Sequence, residues 1–85
     1  ARTVEITEFY ESGQRAAHGR YLVAGRGRQV PVGTHRRFSE KGNLLAESSF
    51  DAKGRVTRER SWDENGELQH DEHVLEDGSR KAYTQ

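Results

Sequence analysis

One spacing governs what this chain can fold into: an apolar or aromatic residue, three mostly polar residues and a glycine, recurring every twelve positions. The unit runs Phe9 to Gly13, Tyr21 to Gly25, Phe38 to Gly42, Phe50 to Gly54, Trp62 to Gly66 and Val74 to Gly78, with a five-residue insertion between Gly25 and Phe38. A short fixed period lays down one supersecondary unit repeatedly, so the chain grows by addition and not around a central core.

The turn chemistry says what the unit is. Ser39-Glu40-Lys41-Gly42, Asp51-Ala52-Lys53-Gly54, Asp63-Glu64-Asn65-Gly66 and Leu75-Glu76-Asp77-Gly78 each end on glycine. Glycine in fourth place suits a type I turn closed by a left-handed residue, the three-residue hairpin loop with a bulge. Stretches of about eight residues separate the turns, a strand length. The expected fold is all-β: a single-layer antiparallel β-meander of twelve-residue strand-turn repeats over residues 1–85, with a flexible Gly/Arg-rich connector at 25–33.

A bulged turn also sets a register. It pairs Trp62 with Leu68, Arg58 with Glu72, Val56 with Val74, Phe50 with Val56, Leu44 with Trp62 and Phe38 with Leu44, so every apolar anchor meets another. Extended along whole strands, this register gives one face two apolar rows, Phe38, Leu44, Trp62, Leu68 and Phe50, Val56, Val74. A polar band of Ser48, Arg58, Arg60, His70 and Glu72 lies between them. The other face, with Thr57, Glu59, Ser61, Gln69, Asp71 and His73, is wet. No amphipathic helix is available to cover the apolar face, so the expectation is a strongly twisted sheet that covers itself, or a partner.

Composition narrows the function classes. Fourteen basic residues cancel fourteen acidic ones, so no general field draws the chain to nucleic acid or to an anionic membrane, and neither is expected as a partner. Cysteine is absent, which excludes disulfides and thiolate zinc sites. No apolar run approaches bilayer-spanning length. Missing cysteine and a first residue other than methionine fit export to the cell envelope slightly better than a cytoplasmic setting, and fit a piece of a longer protein equally.

The run from Gly33-Thr34-His35-Arg36-Arg37-Phe38 through Gly42-Asn43-Leu44, then Phe50 to Gly54 and Trp62 to Leu68, resembles the bacterial variant of the MORN repeat found in YwqK-like antitoxins. The resemblance covers residues 9 to 83, with His35 where that family usually has an aromatic and Val74 in place of the last one. It implies an extended β scaffold for protein or membrane contacts, without catalytic residues, and it brings in the antitoxin reading as an alternative.

Two clusters stand out as candidate sites. In the derived register Glu47, Glu59 and Asp71 form an acidic column across three strands, with His35 at one end and Tyr83 at the other. Such a column suits a cation or a basic partner, or splays into water. Phe50, Arg58, Arg60, Trp62, His70 and Glu72 form an aromatic-edged patch suited to partner binding, or a set of sheet-stabilising ion pairs with arginines stacked on Trp62.

Three other motifs are weaker. His70 and His73, an odd number apart on a strand, point to opposite faces and do not chelate one ion, so no metal and no cofactor are expected. Gly25-Arg26-Gly27-Arg28 opens no helix and reads as connector and not phosphate cradle. No serine or threonine has a defensible base and carboxylate, so the chain reads as non-enzymatic. The expected function is protein–protein interaction through the aromatic-edged face or a free sheet edge, with another protein or a second copy; the alternative is an antitoxin or immunity protein that binds a toxin directly.

Overall fold

Gly13, Gly42, Gly54, Gly66 and Gly78 all adopt the left-handed backbone that the spacing demands, with φ from 83 to 94°. In each turn the same two bonds recur. At Gly66, Asp63 N–H donates to the Glu67 carbonyl and Gly66 N–H donates back to the Asp63 carbonyl, both at 3.0 Å. The Asp63 carboxylate then accepts from the amides of Asn65 and Glu67 at 2.9 Å each, and Asp51 does the same for Lys53 and Arg55 at 2.9 Å. An aspartate at the head of the turn thus caps amides that a bare loop would leave to solvent.

The computed structural model describes residues 2–84 as seven strands: β1 (Arg2–Phe9), β2 (Arg15–Val23), β3 (Gln29–Phe38), β4 (Leu44–Phe50), β5 (Val56–Trp62), β6 (Leu68–Val74) and β7 (Arg80–Thr84). They form one open antiparallel sheet in the order of the chain, a meander. The insertion differs from the other turns. Ala24 N–H donates to the Arg28 carbonyl at 2.7 Å, a 3₁₀ turn spans Gly25–Gly27, and the left-handed residues are Arg26 (φ 66°) and Gly27 (φ 73°). The closing glycine is therefore Gly27 and not Gly25. The connection is also narrower than 25–33, because residues 29–33 belong to β3.

The pairs next to the turns are those expected: Trp62 with Leu68, Phe50 with Val56, Phe38 with Leu44. One step further the register shifts. Ser61 pairs with His70, so Gln69 stands unopposed, and Ala16, Leu45 and Thr57 stand unopposed at the equivalent place in three other hairpins. Each is a second, two-against-one bulge three residues beyond the turn glycine. Only the last of these twelve-residue hairpins omits it, with Val74 on Arg80 and His73 on Lys81 in unbroken register.

This bulge overturns the expected distribution of side chains, because one unpaired residue reverses the alternation beyond it. Cross-strand partners share a face, so Phe38, Leu44, Trp62 and Leu68 lie on one face with Arg36, Glu47, Arg58, Arg60 and Asp71. Phe50, Val56 and Val74 lie on the opposite face with His35, Ser48, Glu59, His70 and Glu72. The two apolar rows thus sit at opposite ends and on opposite faces. Val56 does not meet Val74, nor Leu44 Trp62, as direct partners.

The sheet is nearly flat, with extents of 41 × 38 × 12 Å, so it does not wrap over itself as a strongly twisted one would. Among the described residues no hydrophobic side chain is buried, and the one buried polar side chain is Ser39. Its hydroxyl accepts from the amides of Lys41 and Asn43 at 3.2 Å each.

Candidate functional site

On the face that carries Trp62, hereafter the first face, charges alternate along the paired residues Arg36, Glu47, Arg60 and Asp71. Arg36 Nε donates to Glu47 Oε2 at 2.9 Å, and Arg60 Nη2 donates to Glu47 Oε1. The Glu47 side chain is only 10% exposed. Burial acts to raise its pKa, but hydrogen bonds from Arg60 and Arg36 outweigh burial and hold it below the ordinary 4.5. Arg58 grips Asp71 with both limbs of its fork, Nε to Oδ1 at 2.9 Å and Nη2 to Oδ2 at 2.7 Å. That bond lowers the Asp71 pKa and raises that of Arg58.

The arginines also hold the aromatics. The Arg60 guanidinium lies 5.2 Å from the Trp62 ring centroid and that of Arg15 lies 5.1 Å from Phe38. Arg60 Nε is buried without a hydrogen-bond partner. Beside Trp62, a shallow hollow of about 430 Å³ is lined by Asn43, Leu44, Glu64, Asn65 and Gly66.

The acidic column does not form. Glu47 faces Arg60 and Ser48 faces Glu59, while Glu59 faces Glu72 and Asp71 faces Arg60. The bulges at Thr57 and Gln69 moved the three carboxylates out of line and set arginine between Glu47 and Asp71. Glu59 lies on the second face, where Arg80 reaches it at 3.5 Å and also bonds Glu72. At the ends of the expected column, Tyr83 does pair with Asp71, but His35 pairs with Ser48.

The aromatic-edged patch is divided for the same reason. Arg58, Arg60 and Trp62 share the first face; Phe50, His70 and Glu72 share the second. Arg58 takes Asp71, not Glu72, as its ion-pair partner. Among the described residues no group of three or more His, Asp or Glu is placed to hold a metal.

Sequence reasoning missed the centre of the second face. The His35 ring stands edge-on to both Tyr21 and Phe50, with centroids 4.9 Å apart in each case, and its Nε2 donates to the Arg20 carbonyl at 2.7 Å. It lies against Gly19, where a Cβ would come within 2.3 Å of His35 Nδ1. Histidine here fills an aromatic's place, and glycine makes room for it. The stack lines a hollow of about 250 Å³ together with Ile6, Ala17 and Ala46 and with charged neighbours that include Glu8 and Arg37. The signal available was an isolated glycine inside a strand pattern.

A second cluster was also missed. On the first face His18 Nδ1 lies 2.9 Å from the Thr7 hydroxyl and Nε2 lies 3.2 Å from Glu5 Oε1. Hydroxyl, imidazole and carboxylate are in the order of an acyl-transfer centre, yet the Glu5 side chain is 59% exposed and the group lies open to water.

No family model and no curated protein matches the chain. Among solved structures it is similar to a chain in the crystal structure of a GtfA/B complex bound to UDP and GlcNAc. The identity is 18% and the TM-score 0.53, over 88% of this chain and 17% of that one. At that identity the likeness concerns the fold alone.

Proposed function

We propose that this chain is a non-enzymatic interaction module, a β-repeat sheet that works by being covered by another protein. The observation that carries this reading is the missing interior: seven strands form a 12 Å layer in which no described hydrophobic side chain is buried. Sheets normally bury at least one face against another layer. Phe9 at 62% exposure, Tyr83 at 52% and Leu75 at 44% are the largest uncovered groups. Strands β1 and β7 each leave one backbone edge unpaired within the chain, a second route for a partner strand.

The antitoxin reading rests on the resemblance of the repeats to YwqK-like proteins. The acidic column that would have offered a basic toxin its counter-surface lends this reading no support, because Glu47, Glu59 and Asp71 are out of line and each is paired with arginine.

Affinity capture on the immobilised chain from its source cells, followed by hydrogen exchange on the isolated complex, tests the module. The expected result is a stoichiometric protein that protects amides on one face or one edge. If nothing binds stoichiometrically and the chain also stays monomeric, the reading fails.

A further inference from the structure

We infer that the first face docks onto the first face of a second copy of this chain, with the two-fold axis running along the row of Phe9, Phe38, Leu44, Trp62 and Leu68. This inference rests on the interaction-module reading and names the partner for one of its faces. The row lies across the sheet next to the turns closed by Gly13, Gly42 and Gly66. Charges are unevenly divided about it. On the turn side stand Glu11, Glu40, Asp63, Glu64 and Glu67 against Lys41. On the strand side of the same face stand Arg20, Arg36, Arg58, Arg60 and Lys81 against Glu5, Glu47 and Asp71, while Arg15 stands in the row itself, opposite Phe9 and against the Phe38 ring.

A chain with no net charge that separates acid from base across an apolar stripe is complementary to itself. Rotation about the stripe lays apolar row on apolar row, and sets the acidic turns of each copy over the arginines of the other. Glu40 comes to face Arg36 of the second copy, and Glu11 comes to face the Thr7, His18 and Arg20 region.

One further observation favours a second sheet as the occupant: flat sheets of many strands are uncommon and are typically held by stacking, and this one is a single layer 12 Å thick. Stacked about 10 Å apart, the two sheets would enclose the core that one copy lacks. The second face offers no such pattern, since the turns at its apolar end mix Arg26, Arg28, Lys53 and Arg55 with Asp51, Glu76 and Asp77.

Light scattering on two charge-reversed forms tests the arrangement. Glu11→Arg with Glu40→Arg cancels the net negative charge of the turn side and sets arginines over Arg20 and Arg36; Arg20→Glu with Arg36→Glu makes both sides acidic. Arg36 is 45% exposed and Glu47 keeps Arg60 in the second form, and circular dichroism checks that each form is folded. The parent chain is expected to be a dimer, each form alone to dimerise at least tenfold more weakly, and an equimolar mixture to regain a mixed dimer. Trp62→Ala should also release the parent dimer, and added salt should weaken it. A parent chain that stays monomeric near ~1 mM overturns the inference. So does a dimer indifferent to both reversals and to Trp62→Ala, which would place the contact at a strand edge. In either case stoichiometric capture of a different protein would leave the broader module reading standing.

Discussion

The stretch from β4 to β6 and the stretch from β1 to β3 hold a coreless sheet together by different means. Strands β4, β5 and β6 are seven residues each, follow the twelve-residue period, and are joined by the Arg60–Glu47 and Arg58–Asp71 bonds. Strands β1, β2 and β3 run eight, nine and ten residues, contain the insertion that interrupts the period between β2 and β3, and are tied to β4 by the Tyr21–His35–Phe50 stack over Gly19. Where the repeat is strict, paired charge holds the layer; where it lapses, a ring fitted against bare backbone does. Neither device needs a second layer, which is how an open sheet keeps its shape by itself.

Deleting Gln69 should break the first arrangement most severely. Without that residue β6 reverses its faces beyond Leu68, separating Asp71 from Arg58, at a cost on the order of 3–5 kcal/mol. Chemical denaturation would read this as loss of the cooperative transition, and a variant of parental stability would show that the bulge is dispensable. The second arrangement should answer to Gly19→Val. The added side chain meets the His35 ring, so overpacking should destabilise by about 1–3 kcal/mol and loosen β1–β3 more than β4–β6 in hydrogen exchange.

Acid should separate the halves more gently. Glu47, Asp51, Asp71 and Asp77, the carboxylates held below their ordinary 4.5 and 3.8, all lie from β4 onward. Hydrogen bonds are responsible in each: from Arg60 and Arg36 to Glu47 against opposing burial, from the Arg55 amide to Asp51, from Arg58 to Asp71 and from the Ser79 hydroxyl to Asp77. A carboxylate with a lowered folded pKa contributes stability that is complete above its unfolded value and disappears as pH falls through the folded one. Amides of β4–β7 should therefore lose protection below about pH 4, ahead of those in β1–β3. Uniform loss along the chain would contradict the division.

Much of the fold was legible in the sequence because turn glycines report backbone geometry directly. Gly42, Gly54 and Gly66 fixed the hairpins, and the apolar residues beside them fixed the first pair in each. The candidate site was less legible. A bulge such as that at Gln69 has no compositional mark: alanine, leucine, threonine and glutamine occupy the four equivalent places. One unopposed residue nevertheless moves every later side chain to the other face, so Glu59 left the expected column and Phe50 left the expected patch. The Gly19–His35 contact joins β2 to β3 across an irregular register shift that no period records.

Cross-strand proton contacts between β5 and β6 test the central claim, that the second bulge throws the two apolar rows onto opposite faces. Nuclear Overhauser contacts linking Arg60 with Asp71 and Glu59 with Glu72 are the expected result. Contacts linking Arg60 with His70 and Glu59 with Asp71 would put both rows on one face and contradict it.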